Sequence, residues 1–232
     1  MRLKFIFFIN LIFLSAFSQS KNVQIKIHNN FIKKDTLNLL VVEVINNSDQ
    51  PILFPMDKES VGIYTGEKDI VYNNYLTSII PFINCIDTLS KKQKVCIGEY
   101  PLDLNLDYID FKNKEYETKK EKVLIFWKRK GVKLSEKELL DLDFIFENLN
   151  FIHAKESMFY YLPLDLRSFD IKYDIGDFNQ GVFIYNKNHI FNFQLNLDSS
   201  YLSRFSKVLE DKKMIKFPIY SEKVTSNYVG IE

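Results

Sequence analysis

The chain has 232 residues and 27.5 kDa, with 31 basic and 30 acidic side chains, a balance with no charge excess for a nucleic-acid partner. Hydrophobic residues at 46% and charged ones at 26% exclude a disordered chain. Two alanines, Ala16 and Ala154, against 21 Phe and 13 Tyr argue against a helical bundle and for β-structure. The first element is an address. Arg2 and Lys4 precede the apolar run Phe5 to Leu14, and Ala16-Phe17-Ser18 supplies the small residues of a signal-peptidase site, so residues 1–18 read as a signal peptide cleaved before Gln19. The apolar run is shorter than the roughly 20 residues that span a bilayer, and no cysteine stands at the cleavage site. The expectation is an exported protein, periplasmic or secreted, with no permanent membrane anchor after cleavage.

In the mature chain, Val23, Ile25 and Ile27 alternate with Gln24, Lys26 and His28, the period of a half-buried strand. From Thr36 the residues Leu37, Leu39, Val41, Glu43 and Ile45 take one face and Asn38, Leu40, Val42, Val44 and Asn46 the other. Asn46-Asn47-Ser48-Asp49-Gln50-Pro51 then marks a turn before Ile52-Leu53-Phe54. Two largely apolar faces predict a strand buried between two packed layers. The run Leu37-Asn-Leu-Leu-Val-Val-Glu-Val-Ile-Asn-Asn-Ser-Asp-Gln-Pro-Ile-Leu-Phe-Pro55 resembles the opening strand pair of exported bacterial immunoglobulin-like β-sandwich domains. Lys216 to Ile231 is similar to a last strand pair of such domains, with a turn or bulge at Ser226-Asn227. The resemblance implies an immunoglobulin-like antiparallel β-sandwich and no activity. The Cys-Trp-Cys constellation of antibody domains is absent, because the two cysteines lie close together and Trp127 follows both.

Ile70 to Ile86 is apolar but broken by Pro81, and reads as a loop with short strands. Cys85 and Cys96 enclose Ile86 to Val95, whose Ser90-Lys91-Lys92-Gln93-Lys94 lets the chain turn back. In an oxidising compartment a disulfide between them is expected, worth about 2–3 kcal/mol by loop entropy. Residues 112–133 carry net charge +6 and residues 134–177 net charge −6, blocks that can attract one another inside one fold. Val123 to Trp127 reads as a strand. Ser135-Glu-Lys-Glu138 reads as a capping box opening a helix with Leu139, Leu142, Phe146 and Leu149 on one stripe. Met158 to Leu166 is a predicted strand, and Gly181 to Tyr185 with His189 to Leu197 a predicted hairpin about Asn186-Lys187-Asn188. Asp198 caps a predicted helix from Ser199 to Leu209, with Tyr201, Leu202, Phe205, Val208 and Leu209 on one stripe. A simple immunoglobulin-type sandwich takes about 100 residues. No Pro-, Gly- or Ser-rich linker divides the chain, so residues 19–232 read as one elaborated β-sandwich domain with one or two short helices, two fused β-domains being the alternative.

Chemistry-bearing patterns are sparse. There is no G-x-S-x-G elbow, no P-loop, no G-x-G-x-x-G and no C-x-x-C. Asp174, Asp177 and Asn179, in a glycine-containing loop, offer oxygen ligands to calcium, although the order is not that of an EF-hand and a plain turn uses the same residues. His153 and Glu156 stand three apart without the second histidine a zinc site needs. Catalytic and cofactor-binding residues are therefore not assigned, and calcium is the one cofactor with candidate ligands. The reading is a non-catalytic module binding a protein or glycan partner. The alternative is an exported hydrolase or metal-dependent enzyme with carboxylates and His153 or His189 converging.

Overall fold

The computed structural model describes residues 22–33, 36–58, 62–63, 79–91, 93–94, 99–101, 106–166, 169–172, 178–181, 188–195, 197 and 199–232. The structure is mainly β, with several antiparallel sheets, and three helices lie among the described residues. The first sheet has the order β1-β3-β10, from Val23–Ile27, Leu37–Asn46 and Ser157–Asp165, with both pairings antiparallel. Its inner face carries Ile25 and Ile27 opposite Val44 and Val42, and Val42 and Leu40 opposite Tyr160 and Leu162; all are buried. Alternation in the sequence thus sets the register, since a slip by one residue would turn every one of these side chains to solvent.

The second sheet is built on β13 (His189–Leu195), which lies between β6 (Phe82–Asp87) and the C-terminal strands β14 (Val224–Thr225) and β15 (Val229–Ile231), all antiparallel to it. The pairings Gln194 with Thr225 and Phe191 with Val229 differ by one residue in register. The C-terminal segment is therefore one bulged strand along β13, not a strand pair of its own. The bulge lies at the expected Ser226-Asn227: the Phe193 amide donates to Ser226 Oγ (2.9 Å) and the Ser226 amide to the Phe193 carbonyl (2.8 Å). Asn227 reaches the first sheet, where its Oδ1 accepts from the Ile27 amide (2.7 Å) and its Nδ2 donates to the Ile27 carbonyl (3.1 Å). β2 (Phe31–Ile32) runs parallel to β15, and β5 (Gly62–Ile63) parallel to β6. Of the predicted hairpin partner Gly181 to Tyr185 only Gly181 is described, at the end of β12 (Phe178–Gly181), which pairs with β11 (Phe169–Lys172) and β8 (Glu99–Pro101); residues 182–185 lie outside the described residues. Both edges of β13 are already occupied at Ile190 and Phe191.

The opening strand–turn–strand is present, but its two strands do not pair with each other. β4 (Ile52–Pro55) pairs with β9 (Leu149–Ile152), while β3 pairs with β10, so two long segments run side by side and bend together at one corner. Asn46 fixes that corner from a fully buried position. Its Nδ2 donates to the carbonyls of Gln50 (2.8 Å) and His153 (3.0 Å), and its Oδ1 accepts from the Ser48 amide (3.0 Å) and hydroxyl (2.7 Å). Lys155 closes it from outside, donating to the Asn47 carbonyl and pairing with Asp49 at 2.9 Å.

Val123–Trp127 is not a strand; it lies in α1 (Leu106–Arg129). Val123, Leu124 and Trp127 are buried whereas Ile125 and Phe126 are exposed, the i, i+1, i+4 spacing of a helix face, where a strand would have buried alternate residues. Trp127 Nε1 donates to Asp143 Oδ1 at 2.7 Å, and burial pushes that carboxyl above its usual range against the bond's opposing pull. Asp143 belongs to α2 (Glu136–Glu147), which opens with the expected capping box: the Ser135 amide donates to Glu138 Oε2 (2.9 Å) and the Glu138 amide to Ser135 Oγ. Hydrogen bonds from Ser135 hold the Glu138 carboxyl below its ordinary value, with Arg204 at 2.6 Å adding to them. The opposite charge blocks meet across this helical hairpin in Lys119–Glu147 (3.1 Å) and Lys128–Glu136 (4.0 Å). α3 (Ser199–Asp211) buries Leu202, Phe205 and Leu209 as its stripe predicts, and Tyr201 donates to the buried Asp141 of α2. Asp198, its expected cap, lies outside the described residues.

Candidate functional site

The outer face of the first sheet is the clearest candidate surface. Side chains there fall into rows set by the two antiparallel registers: Gln24, Ile45 and Ser157; Lys26, Glu43 and Phe159; Val41 and Tyr161, with His28 just past β1; then Leu39 and Pro163. The expectation that both faces of β3 are buried is not met. Leu37 is 65%, Leu39 56%, Phe159 49% and Tyr161 61% exposed, so four large apolar side chains stand together in solvent on adjacent strands. Apolar groups so grouped differ from the single exposed Leu that any surface tolerates.

The rim beside them is polar and ordered. His28 Nε2 lies 2.8 Å from Glu43 Oε2, and the His28 ring sits 5.6 Å from that of Phe159, tilted by 39°. Partial burial pushes the Glu43 carboxyl up, but hydrogen bonds from His28 and Ser157 and the charges of His28 and Lys26 outweigh it and leave the group below its ordinary value. Asn29 adds a fixed amide: its Oδ1 accepts from the Val41 amide (2.8 Å) and its Nδ2 donates to the Leu39 carbonyl (3.1 Å). The arrangement can present aromatic and aliphatic faces with a charged pair at their border.

The residues singled out in the sequence are dispersed. His28 is on this face. His153 is exposed at the corner, its ring edge-on to Phe151 at 4.6 Å, and its link to Glu156 is a backbone bond from the Glu156 amide to the His153 carbonyl (3.3 Å), so the pair forms a turn. His189 is buried at the start of β13, opposite Asp87. Asn179 lies in strand β12 rather than a loop, and Asp174 and Asp177 lie outside the described residues. Among the described residues no group of three or more His, Cys, Asp or Glu side chains could hold a metal ion. Cys85 is buried in β6 opposite Lys94 of β7 (Gln93–Lys94), so the chain does turn back as expected, while Cys96 lies outside the described residues. Sequence reasoning did not single out Phe159 and Tyr161, which it placed only within the predicted strand Met158 to Leu166. The buried amide pair of Asn84 and Asn192, joined at 3.2 Å, was missed as well.

Comparison of the chain with models of protein families, with curated proteins and with solved structures finds no match.

Proposed function

We propose that this chain is an exported, non-catalytic binding module with an immunoglobulin-like β-sandwich core. It engages a protein or glycan partner through the outer face of β1-β3-β10. Supporting the sandwich is the pairing order. One sheet reads first, second and fifth core strand (β1-β3-β10); the other carries β15-β13-β6 in the places of the last, sixth and third, with the N-terminal strand dividing between the two sheets and running parallel to the last strand at β2. Helices α1 and α2 then count as an insertion before β10, and α3 as one before β14. Export is supported by residues 1–18 as a signal peptide.

The single observation that carries the binding role is the exposed cluster of Leu37, Leu39, Phe159 and Tyr161 beside the His28–Glu43 pair. Tyr and Phe in such positions supply large contact area at small conformational cost, and a polar border gives register. The test is photocrosslinking in the cells of origin from a probe amino acid placed at Phe159 in the full precursor, with mass spectrometry of the adducts and a glycan array for the purified protein. One reproducible partner, lost in Leu39→Ser/Tyr161→Ser, is the expected result. Adducts unchanged by that double substitution, with no glycan retained, would refute the assignment.

A further inference from the structure

Helix α1 carries a second surface, of different chemistry. Lys122, Ile125, Phe126 and Arg129 fall at i, i+3, i+4 and i+7 and form one exposed stripe opposite the buried Val123, Leu124 and Trp127. Ile125 is 42% and Phe126 40% exposed, and Lys130 Nζ lies 5.6 Å above the Phe126 ring. From Lys122 to Lys133 the chain holds five cations, Lys128, Arg129 and Lys130 among them, and no carboxylate. Lys128 is paired with Glu136; Lys122, Arg129 and Lys133 have no ion-pair partner among the described residues.

A second element extends the same end. Lys212 Nζ donates to the Gly131 carbonyl at 2.9 Å, which sets the C-terminal turn of α3, with Lys212 and Lys213, beside that of α1. Lys128 and Arg129 stand in the last turn of α1, where positive charge is favourable. Lys122 lies two turns before the end of α1, where that preference has decayed, yet it stands in the stripe with Ile125 and Phe126.

We propose that this basic and apolar stripe docks peripherally on an anionic phospholipid surface. The occupant is argued from charge complementarity and shape. The stripe is the exposed side of one helix, with two apolar side chains flanked by cations on long stems. A fluid surface can receive the rings at headgroup depth while the ammonium groups meet lipid phosphates. Each cation near such a surface strengthens binding by about 1 kcal/mol, close to five-fold, and screening by salt weakens it. The inference is independent of the proposed sheet-face partner and survives its failure.

The test is co-sedimentation of the purified chain, residues 19–232, with vesicles of phosphatidylcholine alone and of phosphatidylcholine with phosphatidylglycerol, at low and high salt. Binding only to the anionic vesicles, weakened by salt, is expected. It should fall at least about ten-fold in Lys122→Glu/Arg129→Glu and also in Ile125→Ser/Phe126→Ser, and remain unchanged in Leu39→Ser/Tyr161→Ser. All substituted residues are exposed, and circular dichroism checks that each variant is folded. Failure to bind anionic vesicles overturns the proposal. So does equal binding of the Ile125→Ser/Phe126→Ser variant together with equal affinity for soluble polyglutamate, which would mark the stripe as a site for an acidic polypeptide.

Discussion

Tyr160 shows how a single group can work against the fold that holds it. It is 4% exposed on the inner face of β10, and its hydroxyl has no hydrogen-bond partner among the described residues; burial alone pushes the phenol far above its ordinary value. A buried hydroxyl without a partner costs about 1–3 kcal/mol, while the ring itself packs. Tyr160→Phe should therefore raise stability by about 1 kcal/mol, read as a higher urea midpoint at unchanged slope. Glu43 works in the opposite sense. Its folded value lies below the unfolded one, so it contributes stability above the ordinary carboxylate range, and the contribution is lost as pH falls through the lowered folded value. Glu43→Gln should flatten the acid limb of a stability–pH curve and leave its alkaline side in place. The sequence grouped Glu43 with Leu37, Leu39, Val41 and Ile45 on one face of its strand, and set Tyr160 only within the strand Met158 to Leu166. Nothing in it distinguished Tyr160, turned inward, from Tyr161, turned out, because alternation alone does not say which face meets the core.

Helices α1 and α3 end by a shared device that the sequence only half discloses. At the end of α1, the Gly131 amide donates to the Lys128 carbonyl and the Val132 amide to that of Trp127, with Gly131 at φ +70°. That is a Schellman motif, closed by buried Val132 beside Trp127. α3 ends with the same two bonds, Lys213 to Glu210 and Met214 to Leu209, but Lys213 takes the left-handed position at φ 55°. A residue with a Cβ is strained there, so Lys213→Gly should raise the thermal midpoint, by about 0.5–1 kcal/mol in stability. Gly131 could have warned that the strand expected at Val123–Trp127 was the end of a helix. The β-branched and aromatic run masked the signal, since short apolar runs fit either element until their burial is known. The helix at Ser135 was legible for the reason that one at Val123 was not: its cap is local chemistry, written in four consecutive residues.

At the scale of the molecule, strands could be read and their partners could not. Alternation located β1, β3, β10 and β13, but the pairing of β4 with β9 and of β13 with β6 depends on contacts between residues about 100 positions apart, which no local pattern records. Asn227 is where the two main sheets are tied, through both polar groups of Ile27. Asn227→Ala would leave those two buried-strand groups without their partner, and should cost about 1–3 kcal/mol with faster amide exchange at Ile27. Exchange unchanged at Ile27 would show that the tie contributes nothing.

The pairing of β3 on two sides also sets an order of events during synthesis. β1 lies just upstream, so that half of the ladder can close as soon as Asn46 emerges; β10 follows only about 110 residues later. At the usual 5–20 residues per second, the row Leu40, Val42 and Val44 waits roughly 5–20 s for its second neighbour. On the proposed route across a membrane, the chain would spend that interval as an open two-strand ribbon, the state that a chaperone holding unpaired strands would bind.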